Sequence, residues 1–136
     1  MKNSAIYITR RDMERLRALL DNPDLLQQKP YLEQLERELD RAEVVDSAKI
    51  PPNVITMDST VLLIDLETDE EMILTLVYPD QAHISEGRIS VLAPIGTAIL
   101  GCREGEIVEW EVPAGIQSLR VDRVLYQPEA AGDYIL

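Results

Sequence analysis

Hydrophobic residues in the first third of the chain recur at helical spacing, whereas beyond Pro52 they alternate or run together at strand spacing. Thr9-Arg10-Arg11-Asp12 reads as a helix start, with a hydroxyl able to accept from the third amide and an acid in the first turn. Met13, Leu16, Leu19 and Leu20 follow as one apolar stripe. Asp21-Asn22-Pro23-Asp24 is read as the stop, because proline disfavours helix in the residue before it. A second helix is expected from Pro30, with Leu32, Leu35, Leu39 and Ala42 as its stripe and Glu33 with Arg37 as a favourable exposed pair. Two helices of about 12–14 residues joined by a short turn predict an antiparallel hairpin reaching roughly 20 Å. Ile6, Tyr7 and Ile8 are expected to anchor it.

Lys49-Ile50-Pro51-Pro52-Asn53 forms a stiff linker. Strands are then predicted over Val61–Leu66, Glu71–Tyr78, Arg88–Leu92, Ile107–Val112 and Ile116–Tyr126. Met72, Leu74, Leu76 and Tyr78 alternate with Ile73, Thr75 and Val77, so that strand is expected to be central or covered on both faces. Val108, Trp110 and Val112 are expected to share one face of theirs. Ala93–Leu100 reads as a short helix with proline at its start and Gly101 at its end. Pro113-Ala114-Gly115 is a predicted turn, and the apolar end of the tail through Leu136 is expected to dock on the body. The fold class is therefore α+β. A short N-terminal antiparallel helical hairpin (coiled coil), residues 1–50, precedes a domain of residues 51–136 with an antiparallel sheet of about five strands and one short helix.

Composition sharpens this picture. The chain has 136 residues and a net charge of −12, the size of one domain or of one domain with an appendage. Residues 1–50 carry nine bases and ten acids, whereas residues 51–136 carry four bases and fifteen acids. The second unit thus favours a basic partner or no charged partner at all, and the acidity argues against direct nucleic-acid binding. One cysteine, Cys102, and one histidine, His83, exclude a disulfide framework and a cysteine or histidine metal cluster. No apolar run approaches a membrane span and no signal peptide is recognisable, so a cytoplasmic location is expected.

The candidate chemistry is sparse. Cys102 and His83 fall on unrelated loops, with Cys102 expected to be buried and His83 at the surface. Glu67, Asp69, Glu70 and Glu71 lack the spacing of a calcium loop and read as a solvated turn. Asp21 and Asp24 at the hairpin tip would form a carboxylate pair, but turn chemistry beside Asn22-Pro23 is the favoured reading of them. The glycines match no phosphate-binding loop. A binding module is expected rather than an enzyme, with no cofactor and no metal.

Several segments carry a family resemblance. They are Asp58-Ser59-Thr60-Val61, Asp65 to Glu71, Gly87-Arg88-Ile89-Ser90-Val91, Ala93 to Gly101, Glu104 to Glu109 and Val112 to Gly115. Together they resemble the C-terminal domain of the Gre-type transcript cleavage factors of bacterial RNA polymerase. Asn53-Val54-Ile55-Thr56-Met57, Leu76-Val77-Tyr78-Pro79 and the tail from Tyr126 are similar to a shorter branch of that family, the regulators of nucleoside diphosphate kinase. The resemblance implies an FKBP-like fold for the second unit. It also implies a partner, RNA polymerase, at the coiled-coil rim of the β′ subunit beside the secondary channel. The rim-binding segment maps onto Ala93, Pro94, Ile95 and Gly96, with alanine where the family carries serine. The hairpin is far shorter than in Gre factors, so Asp21 and Asp24 are not expected to reach the polymerase active centre, and transcript cleavage is not carried over. The function implied is a transcription regulator that competes with Gre-type factors. The alternatives are a prolyl isomerase or chaperone module, or a direct binder of nucleoside diphosphate kinase.

Overall fold

The computed structural model describes residues 6–112 and 115–132. The chain opens with strand β1 (Tyr7–Thr9), followed by helices α1 (Arg10–Leu20), α2 (Pro23–Gln28) and α3 (Leu32–Arg41), and strand β2 (Glu43–Val45). Then come β3 (Thr60–Asp65), β4 (Glu71–Val77), β5 (Arg88–Ser90), α4 (Pro94–Ile99), β6 (Ile107–Val112), β7 (Gly115–Tyr126) and α5 (Pro128–Ala131).

Helix α1 starts where its cap chemistry places it: the Thr9 hydroxyl accepts from the Asp12 amide at 3.1 Å. The expected two-helix hairpin has a third member. Asp21 ends α1, but Asn22 starts a new helix, its side chain accepting from the Asp24 amide at 3.1 Å with Pro23 in the first turn. The same residues that stop one helix therefore cap the next, because an asparagine followed by proline is as good a start as it is an end. Parallel pairing of β1 with β2 closes the base of this unit.

The expected stripes are buried: Leu16, Leu32, Leu35 and Leu39 are at most 1% exposed. They belong to one continuous core with Ile6 and Ile8, Val61 and Leu63 of β3, Leu76 of β4, Ile99 of α4, and Leu119 and Val121 of β7. Each such side chain contributes about 1.5–3 kcal/mol on burial, so the short helices are stabilised by the sheet unit as well as by one another. Ile6 presses so closely on Gly101 that a Cβ there would overlap its side chain.

The sheet has five strands in the order β5-β4-β3-β7-β6. It corrects the expectation of an antiparallel layer, because β4 and β5 run parallel, Leu76 beside Ile89. Alternation predicts how many strands there are and which residues share a face, but it leaves strand order and direction to tertiary packing. Strand β4 is internal in this order, yet it is not covered on both faces, since Ile73 is 59% exposed. The outer face instead carries the cross-strand row Ile73–Leu62–Arg123 and, beside it, Glu71–Ile64–Arg120–Ile107. At the far end of β7 the Gln127 amide donates to the carbonyls of Pro51 and Val54, tying the linker to the start of α5. The predicted turn at Pro113 and Ala114, the shared face of Trp110 and Val112, and the tail from Asp133 to Leu136 lie outside what is described.

Candidate partner-docking site

The segment Ala93-Pro94-Ile95-Gly96 forms the entry to α4. Pro94 is exposed, Ile95 is half-buried against the core and Gly96 is buried. No side chain caps this helix. Its position is fixed by contacts with the end of β5. A Cβ on Gly96 would overlap the Ser90 carbonyl, the Thr97 hydroxyl donates to the Val91 carbonyl at 2.8 Å, and the Ala93 amide donates to the Ser90 carbonyl at 3.0 Å. The glycine lets the helix lie directly on the strand end, which pushes the preceding proline outwards. The result is a rigid apolar corner on an acidic unit.

The distal end of the helical unit lies against this corner. Tyr31, immediately before α3, donates its hydroxyl to the Leu92 carbonyl. Tyr31 is 37% exposed, and partial burial raises the phenol pKa. Sequence reasoning passed over Tyr31, because nothing in helical periodicity singles out a residue outside the stripe. The helical unit thus touches the body just before α3 as well as at its base.

Asp21 and Asp24 are both exposed. Asp21 borders an open groove with Met13, Glu14, Arg17, Ala18, Leu20 and Glu36, and Arg17 pairs across the unit with Asp40 at 2.7 Å. Among the described residues no group of three histidine, cysteine or acidic side chains could hold a metal ion. The structure separates the other candidates too. Cys102 is buried, its thiol donating to the Ala98 carbonyl at 3.4 Å, while His83 is exposed beside Glu86 at 3.2 Å. Glu67, Asp69, Glu70 and Glu71 are exposed around the β3–β4 turn.

A polar cluster at the base was not foreseen. The Tyr78 hydroxyl, at the end of β4, donates to Asp12 Oδ1 at 2.7 Å, and the Arg15 guanidinium lies over the Tyr78 ring at 4.2 Å. Burial raises the Asp12 pKa to about 6, against the lowering effect of the Tyr78 hydrogen bond, with Glu129 and Asp58 adding to the rise. Burial also lifts the Tyr78 phenol, and the Asp12 carboxylate lifts it further. Asp58, held at a left-handed φ of 67°, is raised by burial and restrained by Arg15 and Arg11. The cap pattern located Asp12 in the first turn, but only the docking of α1 on Tyr78 makes it a buried acid.

Comparison with known proteins agrees with this architecture. Residues 50–126 match the family model described as transcription elongation factor, GreA/GreB, C-terminal, and residues 5–45 match the Rnk N-terminus. The chain belongs to the Rnk family. It is 41% identical over 137 aligned residues to the regulator of nucleoside diphosphate kinase of Escherichia coli K12, covering all of both chains. It is 35% identical to the transcription elongation factor GreA of Beijerinckia indica over 69% of this chain and 60% of that protein. Among solved structures, a prokaryotic GreA/GreB factor from Nitrosomonas europaea superposes with a TM-score of 0.78 at 43% identity, over 91% of this chain and all of the other. The GreA/GreB-type fold shared with this solved structure overturns the FKBP-like expectation. These relatives carry the names of regulators and elongation factors. Among the described residues, no helix is long and apolar enough to cross a membrane.

Proposed function

We propose that this Rnk-family chain is a transcription regulator that binds RNA polymerase at the secondary channel, competes there with Gre-type factors and does not itself promote transcript cleavage. The observation that carries this reading is the full-length likeness to an Rnk regulator, with a GreA/GreB C-terminal unit, in a chain whose helical unit has, among the described residues, no helix longer than 11 residues and touches the body through Tyr31. The chain works as two units, residues 1–50 and 51–136. The second docks on the coiled-coil rim of the β′ subunit through Ala93, Pro94, Ile95 and Gly96, an apolar corner within an acidic surface that suits a helix with basic flanks. Eleven residues span about 16 Å, so Asp21 and Asp24 stay beside the body and contribute no metal ligand at the polymerase active centre. The link to nucleoside diphosphate kinase carried by the relative's name then runs through transcription.

The test is competition on stalled, backtracked polymerase. The chain is expected to leave cleavage at its basal rate, to suppress cleavage by a Gre factor at saturating concentration, and to lose that effect as Ile95→Asp, since a carboxylate forced into an apolar contact costs several kcal/mol. Failure to compete, or competition by a folded Ile95→Asp protein at wild-type potency, would remove this segment as the anchor. Retention of the kinase rather than polymerase in a pull-down with purified enzymes would instead favour direct binding of the kinase.

A further inference from the structure

The corner made by Pro94 and Ile95 is small for a specific interface, which buries roughly 800 Å² on each partner. One proline is exposed there and one isoleucine half-buried. The helical unit adds a large aromatic group nearby, Tyr31, whose hydroxyl donates to the carbonyl of Leu92, the residue directly before Ala93, while 37% of the residue stays exposed.

We infer that Tyr31 is a partner-contacting residue, so that the docking surface is composite: the ring of Tyr31 from the helical unit beside the Pro94–Ile95 corner of the sheet unit. The inference rests on the docking reading above and goes beyond it by assigning the helical unit a share of the grip. Three features support it. The hydroxyl is already satisfied by a backbone carbonyl, so a partner that covers the ring leaves no buried polar group without a hydrogen bond. The bond also pins the ring, which lowers the entropy lost on binding. Large aromatic side chains dominate interface energetics, and tyrosine is among the residues enriched at hot spots. The composite gives the short helices a function that does not depend on reach. They complete the grip through the contact of Tyr31 with Leu92.

The experiment measures binding of the full chain to bacterial RNA polymerase core enzyme for four proteins: wild type, Tyr31→Ala, Tyr31→Phe and Ile95→Asp, each first checked for folding by circular dichroism. Tyr31→Ala is expected to weaken binding about tenfold or more. Tyr31→Phe, which keeps the ring and loses the bond to Leu92, should stay within about fivefold of wild type. Wild-type affinity in folded Tyr31→Ala, alongside loss of binding in Ile95→Asp, would overturn the inference and leave the docking reading standing. Wild-type affinity in both would overturn the docking reading itself. Hydrogen exchange on the wild-type complex decides the matter even if Tyr31→Ala does not fold. Protection of amides 31–34 together with 95–97 is expected, and protection of 95–97 alone would overturn the composite surface.

Discussion

Helices α2 and α4 begin alike and are held in place differently. Each is six residues long with proline in its first turn. Helix α2 is fixed from within: the Asn22 side chain caps it, and Asp21, Asn22, Pro23 and Asp24 are all exposed. Helix α4 has no side-chain cap and is fixed from outside, by a glycine seated on the Ser90 carbonyl and a threonine hydroxyl on the Val91 carbonyl. A corner set by local turn chemistry tolerates substitution and shifts with its own few residues. One set by packing is as rigid as the core beneath it, and such rigidity suits a docking surface.

The largest test of this contrast is Gly96→Ala. The added methyl overlaps backbone, which cannot rotate away, so a loss of about 3 kcal/mol or more is expected, read as a fall in Tm of roughly 10 °C. A stability close to wild type would mean that α4 is held as loosely as α2.

Next comes the acid at the base, set against the acids at the tip. Asp12 has a folded-state pKa of about 6 against an ordinary value of 3.8, so the folded protein binds the extra proton between those values. Stability from this group therefore rises as the pH falls from 7 through 6 to about 4, by roughly 3 kcal/mol at most. Asp12→Asn keeps an acceptor for Tyr78 without the charge. Urea denaturation at pH 7 is expected to show the variant more stable than wild type, with the difference closing towards pH 4. A constant difference across that range would remove Asp12 as the titrating group.

Asn22→Ala isolates the local cap. It should cost about 1 kcal/mol, far less than the glycine change, although both lie at the start of a six-residue helix. The smallest effect is expected from Asp21→Asn with Asp24→Asn. Both side chains are exposed, so stability should stay within about 0.5 kcal/mol and polymerase binding should be unchanged. A loss of binding would show that the tip takes part through charge, which the composite surface around Tyr31 does not require.

Much of the fold was legible because it depends on neighbours in the chain. The Thr9–Asp12 cap, the leucine stripes, the limits of β6 at Ile107 and Val112 and the start of α4 at Pro94 are all local. Helix α2 was missed for a local reason as well, since Asn22-Pro23 serves as a stop and a start with the same atoms. The family segments also marked Ala93 to Gly96 as the candidate contact. They could not show that Tyr31 comes to lie beside it.

By itself, then, the sequence determined where helices and strands begin, which side chains each turns inward, how the charge divides between the units, and to which family the chain belongs. Period and capping are properties of a few consecutive residues, and they survive without any distant partner. Only the tertiary structure decided the rest. It set the parallel pairing of β5 with β4, left Ile73 open to solvent, put Asp12 under Tyr78, and brought Tyr31 to the carbonyl of Leu92 across 61 positions of the chain. Each of these depends on which elements meet when a shared core is closed, and burial is non-directional: it rewards the area removed from water without specifying in the sequence which surfaces supply it.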